Sequence, residues 1–260
     1  MQAKGSRGPV VWPLMLTLVG IVLLLDNFLL IPLNTAALWP LLLVVAGAVL
    51  LLRGDFTPDD STRTFGITRG SVEAALLEIN AGEIDTRIGA LEREGRLIAG
   101  QYAAEARPAL DVNDTYAHLR MDRAATPWMT FADWELGLAT DLPWQFAISS
   151  SLGDVELDLS DLYIEGGVIA TGFGDIRVNV PAETLSPLEL RSATGNIRIS
   201  APIGAKVRVR AGGARWFNVH FDERRYTQPE PGLYVARDAE PDAPLVDFNV
   251  SGTFGDTYLT

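Results

Sequence analysis

From Val10 to Leu52 the chain carries one charged side chain, Asp26. A stretch this apolar belongs in a bilayer or deep inside a protein. Its internal punctuation divides it into two segments. Val10–Leu25 is a run of 16 uncharged residues, Asp26-Asn27 interrupts it, and Ala36–Leu52 is a second run of 17. A membrane span needs about 20 apolar residues, with a range of roughly 17–25. The expectation is therefore two short transmembrane helices joined by a turn, with Asp26 at the outer interface as a solvated helix end. A cleaved signal peptide would explain Lys4, Arg7 and the first run, but not a second run directly after it. A pair of buried helices in a soluble protein is the other alternative.

The two segments resemble each other at a constant offset of 27 residues. Trp12-Pro13-Leu14 returns as Trp39-Pro40-Leu41, Gly20 as Gly47, Val22 as Val49, and Leu23-Leu24-Leu25 as Leu50-Leu51-Leu52. Trp12 and Trp39 are expected to act as interfacial anchors. Pro13 and Pro40 fall in the first turn, where a missing N–H costs little. Gly20 and Gly47 are the expected helix-contact positions, because glycine lets backbones approach closely. Lys4, Arg7 and Arg53 flank the pair and its turn has no Lys or Arg, so the positive-inside rule predicts cytoplasmic ends.

Past Arg53 the character changes. Lys4, Arg7 and Asp26 are the charges that precede it. Without them the totals leave 19 basic and 32 acidic residues, a net charge of −13. Such a surface repels nucleic acid and does not favour lying on an anionic leaflet. With no cysteine, disulfides, thiol catalysis and thiolate metal sites are excluded.

Residues 53–64 are polar and read as a linker. Beyond them hydrophobicity alternates with period two, as strands require. Between residues 150 and 202 three segments align at a period of 21: Gly153-Asp154-Val155-Glu156-Leu157, Gly174-Asp175-Ile176-Arg177-Val178 and Gly195-Asn196-Ile197-Arg198-Ile199. A period near 20 marks stacked repeats. Val155, Ile176 and Ile197 are predicted to form one inward column, and Leu157, Val178 and Ile199 the next. Gly153, Gly174 and Gly195 are predicted at corners that need positive φ or close backbone approach. The outward column would run Glu156, Arg177, Arg198. Weaker copies, Gly82-Glu83-Ile84-Asp85-Thr86 and Gly255-Asp256-Thr257-Tyr258-Leu259, flank the block at irregular spacing. The sequence thus divides into a tail (1–9), a hairpin (10–52), a linker (53–64), a β region (65–149) of less regular layered sheet, and a repeating stacked-strand domain (150–260).

The hairpin, with Leu23-Leu24-Leu25-Asp26-Asn27 and Leu38-Trp39-Pro40-Leu41-Leu42-Leu43, resembles the LiaI/LiaF-type transmembrane region of bacterial cell-envelope stress proteins. The stretch from Leu142-Pro143-Trp144 to Pro181 is similar to the toast-rack β domains often coupled to it, including adhesin-like ones. The resemblance implies a membrane-anchored, all-β fold, a two-helix hairpin followed by a β-solenoid-like stack. It implies a multi-pass bacterial membrane protein whose best-known relatives restrain a sensor kinase responding to cell-wall-active antibiotics.

Searching for chemistry yields no catalytic, cofactor or metal residues. His118 and His220 have no partner at metal-ligand spacing, and there is no nucleophile elbow or phosphate loop. Gly172-Phe173-Gly174 lacks the third glycine and the helix of a dinucleotide site. Asp154, Glu156, Asp158 and Asp161 alternate with apolar residues along a strand, which cannot wrap one calcium ion. Trp128, Trp134 and Trp144, with Phe131 and Phe146, are read as core packing, with an exposed partner patch as the sharper alternative. The expected function is non-enzymatic: a regulator or scaffold in the envelope stress response. Its expected partners are membrane lipid and a sensor kinase or other envelope protein, not nucleic acid. The alternative is an adhesin-like or self-assembling structural module.

Overall fold

The computed structural model describes residues 62–91, 95–103, 108–123 and 133–260. The hairpin with Trp12, Gly20, Asp26, Trp39 and Gly47, most of the linker, and Trp128 and Phe131 lie outside the described residues. The chain divides between Thr57 and Pro58. Among the described residues every regular element is a strand, and no helix is long and apolar enough to cross a membrane.

The building unit is an angled rung: one strand, a glycine-bearing corner, then a second strand. Five rungs come from paired strands. They are β2–β3 (Ala74–Gly82, Thr86–Ala90), β6–β7 (Tyr116–Asp122, Trp134–Leu138), β8–β9 (Pro143–Ser150, Val155–Asp158), β10–β11 (Tyr163–Phe173, Ile176–Asn179) and β13–β14 (Leu188–Thr194, Ile197–Ser200). Two more are single long strands that cover both arms, β15 (Lys206–Phe221) and β18 (Leu245–Leu259). The rungs stack in parallel in the order β6–β7, β2–β3, β8–β9, β10–β11, β13–β14, β18, β15. At one end of the stack the inner rung β2–β3 precedes the outer rung β6–β7 in the chain, and at the other the outer rung β15 precedes the inner rung β18, so sequence neighbours are not always spatial neighbours.

Antiparallel strands cover the ends. β5 (Ala109–Asn113) lies on β6, while β4 (Arg96–Ala103) lies on β7 and carries β1 (Thr62–Thr68). At the far end β17 (Leu233–Ala236) lies on Arg208–Arg210 of β15 and carries β16 (Tyr226–Glu230). The two-residue β12 (Glu183–Thr184) runs parallel to the start of β10.

Strand alternation sends every second side chain inward. One inward column runs Met121, Ile79, Ile148, Ile169, Leu190, Val250, Ala211. In the second arm one column is Trp134, Thr86, Val155, Ile176, Ile197, Thr257, Val219. The next is Leu136, Ile88, Leu157, Val178, Ile199, Leu259, Phe221. The predicted repeat positions Val155, Leu157, Ile176, Val178, Ile197 and Ile199 are all buried, and both arms feed one continuous core. Each fully buried aliphatic side chain contributes roughly 1.5–3 kcal/mol.

Two boundaries read from the sequence move. There is no division at 149/150: β8 of the supposed second domain pairs with β2 on one side and β10 on the other. Residues 65–149 are rungs and caps of the same ladder, not a separate layered sheet. The copy at Gly82 is displaced by two residues, because Thr86 rather than Ile84 stands opposite Val155. The copy at Gly255 is in register, with Thr257 opposite Ile197.

Candidate functional site

The corner of the rungs carries the most distinctive chemistry. The backbone N–H of Asp154 donates to Asp85 Oδ1 at 2.8 Å. Asp175 N donates to Asp154 Oδ1 at 2.8 Å, Asn196 N to Asp175 Oδ1 at 2.8 Å, and Asp256 N to Asn196 Oδ1 at 3.1 Å. Each Asp or Asn therefore accepts the amide of the next rung, which stitches five rungs together where strand pairing is interrupted. Asn218 Nδ2 continues the line to Asp256 Oδ1 at 3.3 Å.

Glycine is required beside this ladder because the rungs come too close for a side chain. A Cβ on Gly174 would sit 2.4 Å from the carbonyl oxygen of Gly153, and one on Gly195 2.1 Å from that of Gly174. Both also have positive φ, 151° and 146°. Three residues earlier, a buried hydroxyl clamps each corner. Ser150 Oγ donates to Gly153 O at 3.0 Å, Thr171 Oγ1 to Gly174 O at 3.1 Å, and Ser192 Oγ to Gly195 O at 3.4 Å. The Ser/Thr-x-x-Gly spacing repeats at 21 residues in the sequence, but its role is invisible until the corner geometry is known.

The acids of the ladder are engaged, not converged on a cation. Arg177 bridges two rungs, with Nη1 3.2 Å from Asp154 Oδ2 and Nη2 3.4 Å from Asp175 Oδ2, rather than pairing with Glu156. Glu156 meets Arg87 at 3.4 Å instead. Arg198 lies over the Tyr258 ring, 5.8 Å from its centre. Asp158 accepts the Ser160 hydroxyl at 2.7 Å, and that bond holds its carboxyl below the usual range. Among the described residues no group of three or more His, Asp or Glu could hold a metal ion. His118 faces Glu78 at 2.7 Å and His220 faces Asp256 at 3.5 Å, cross-rung pairs that linear spacing does not reveal. A cavity lined by Pro202, Ile203, Arg225 and Tyr226 holds about 20 Å³, room for one water.

Of the two readings of the tryptophans, Trp134 and Trp144 take core packing and not the partner patch. Trp134 and Trp144 are 0% exposed, and the Trp144 indole donates to Ala139 O at 2.8 Å. They face inward on β7 and β8 because the strand alternation there places them on the core side. The exposed aromatic surface lies elsewhere. Phe173, Thr194, Phe254 and Trp216 stand directly opposite one another on successive rungs, each just before the corner. Phe173, Phe254 and Trp216 are 58%, 52% and 64% exposed, and Leu152 occupies the same outer corner of β8–β9 at 54%. This stripe spans about 15 Å from Phe173 to Trp216 at the usual strand spacing. Single exposed apolar residues need no explanation; here three aromatics and Leu152 share one outer corner, with Thr194 between Phe173 and Phe254.

Comparison with known families places this architecture. The family model for the N-terminal domain of toast_rack matches residues 62–200, more than half of the chain. The chain belongs to the toast-rack family. A second family model, the LiaI-LiaF-like transmembrane region, matches residues 10–51. Among solved structures, a candidate cell adhesion protein from Clostridium sporogenes shares the toast-rack fold at 15% identity. Its TM-score is 0.64, with 76% of this chain and 98% of that chain covered. A candidate adhesin from Bacteroides fragilis matches at 11% identity and a TM-score of 0.35, over 78% of this chain and 99% of that one. No curated protein matches. The toast-rack domain thus comes with a LiaI-LiaF-like transmembrane region, the makings of a membrane-anchored module.

Proposed function

We propose that this toast-rack protein is a non-enzymatic regulator or scaffold of the bacterial cell-envelope stress response. Its two-helix hairpin (residues 10–52) would hold the β module on the cytoplasmic face of the membrane. The observation that carries the reading is the joining, in one chain, of the two family matches. In this reading Gly20 and Gly47 line the helix face that meets a membrane partner such as a sensor kinase, while Trp12 and Trp39 fix its depth in the lipid. The Phe173–Phe254–Trp216 stripe offers the acidic β module a contact surface for protein. The test is deletion of the gene followed by challenge with a cell-wall-active antibiotic. Altered envelope-stress signalling supports the proposal, and unchanged signalling and tolerance sink it.

A second reading, a self-assembling structural module on the membrane, is favoured by one observation. The outer edge of residues 212–221 in β15 has no strand partner among the described residues. An unpaired edge is a template for further pairing.

A further inference from the structure

We infer that this edge is a homodimer interface in which β15 pairs antiparallel with β15 of a second copy, with Val219 on the two-fold axis. The inference deepens the self-assembly reading and rests on it. β15 is the last rung of the stack. Its first arm is covered by β17 on Arg208–Arg210, and its second arm ends the two inward columns with Val219 and Phe221. Phe217, Val219 and Phe221 are only half-buried, although Thr257 and Leu259, the residues opposite Val219 and Phe221 on β18, are closed off from solvent. The core is therefore left partly open at this arm, where Phe221 is covered on one side by the Tyr234 ring at 5.0 Å.

The other free edges are blunted. β5 is five exposed residues that include Asp111 and follow Pro108. β16 carries Pro229 and Glu230, and β1 has Gly66 next to its central residue. Such devices discourage pairing. The 216–221 segment has no proline, glycine or carboxylate.

The partner is a second copy because the segment is complementary to itself in one register. A two-fold perpendicular to the sheet makes the strands antiparallel and keeps both core faces on one side. The same edge already accepts an antiparallel strand in β17. Centred on Val219, Phe217 meets the second copy's Phe221 and Val219 meets its twin, which brings Arg215, in the bulge before Trp216, to the side of the second copy's Glu223 in the turn after β15. Centring on Asn218 sets Arg215 against Phe221, and centring on His220 sets Phe217 against Glu223. A one-residue slip turns the apolar face outward. The charge balance agrees. β15 carries Lys206, Arg208, Arg210 and Arg215 in a chain of net charge −12, and Asp222 and Glu223 follow it directly. In the register centred on Val219, Arg215 of each copy lies beside the other copy's acidic turn. Arg215, whose guanidinium lies over the Trp216 ring, and Glu223 are both exposed.

The full-length chain contains no cysteine, so V219C introduces a single thiol. Antiparallel opposed positions have Cα separations of about 4.5–5.5 Å, inside the range that a disulfide spans. Mild oxidation of membranes carrying V219C is expected to give a covalent dimer. I203C, at an 89% exposed site away from the edge, is expected to stay monomeric on the gel. The exposed charges give a test that leaves the core untouched. R215E alone and E223R alone should each weaken dimerisation about tenfold, and the double variant should restore it. Light scattering of the detergent-solubilised full chain separates the remaining outcomes. An oligomer without the V219C link, or single variants with no effect, overturns this interface and leaves self-assembly standing through another surface. A monomer at every concentration overturns both.

Discussion

Replacing Asp175 isolates the Asp/Asn ladder from the rest of the corner. Its Oδ1 is the acceptor for the Asn196 amide at 2.8 Å, and its Oδ2 lies 3.4 Å from Arg177, which keeps Asp154 as a second partner. Asp175→Ala removes the acceptor and leaves that amide without its cross-rung bond. Hydrogen bonds to charged groups are worth about 1.5–3 kcal/mol when buried. The half-buried corner puts the loss near the lower end, about 1.5–2 kcal/mol. Asp175→Asn keeps an oxygen in the same place, as Asn196 already does for Asp256, and relieves repulsion between the Asp154 and Asp175 carboxylates. Its expected change is within about 0.5 kcal/mol. For a domain of this size 1 kcal/mol moves Tm by roughly 2–4 °C. Asp175→Ala should therefore lower Tm by roughly 3–8 °C and Asp175→Asn by no more than about 2 °C, followed by the β signal in circular dichroism. Hydrogen exchange at Asn196 should accelerate in the alanine variant only. Equal losses in the two variants would show that the Arg177 ion pair, not the acceptor, holds the corner, and the ladder argument would be wrong.

Other outcomes follow from the same geometry. Thr257 Oγ1 is buried with no hydrogen-bond partner among the described residues, between Ile197 and Val219, so Thr257→Val should raise stability by about 1–2 kcal/mol in a denaturant titration. Deleting residues 245–260 removes β18 from between β13–β14 and β15, with Val246, Phe248, Val250 and Leu259 in the core. The loss of roughly 6–12 kcal/mol is the size of a whole domain's stability, so the truncated chain should fail to fold, judged by protease sensitivity. The lowered carboxyl of Asp158 contributes stability that is present above the ordinary Asp range and is lost as pH falls through the lowered value. Ser160→Ala should return that carboxyl toward the ordinary range in an NMR titration.

The middle of the stack was legible because its rungs follow one another in sequence. Val155, Ile176 and Ile197 fall at a fixed 21-residue spacing only where the chain climbs one rung per repeat. Legibility failed where the order is broken. β18 inserts between β14 and β15, so Thr257 sits on Ile197 across a 60-residue separation that no local period reports. The corner at Asp85 is as long as the others, but its glycine, Gly82, ends the first strand opposite Ser150 and does not stand at the position of Gly153, which shifted its apparent alignment by two residues. Burial of Trp134 and Trp144 depends on which face of the strand they occupy, and neighbouring strands decide that. The aromatic stripe was hidden for a related reason: Phe173, Phe254 and Trp216 are adjacent only after parallel pairing.

Labelling of membranes washed in alkaline carbonate tests the central claim, a β module anchored on the cytoplasmic face. A single cysteine at Ile203, 89% exposed, reports the domain's position with a membrane-impermeant maleimide. The account predicts that the chain stays with the washed membranes, is labelled in inside-out vesicles, and is protected in intact cells. Loss of the chain in the wash would contradict the anchor, and labelling on intact cells would contradict the cytoplasmic placement.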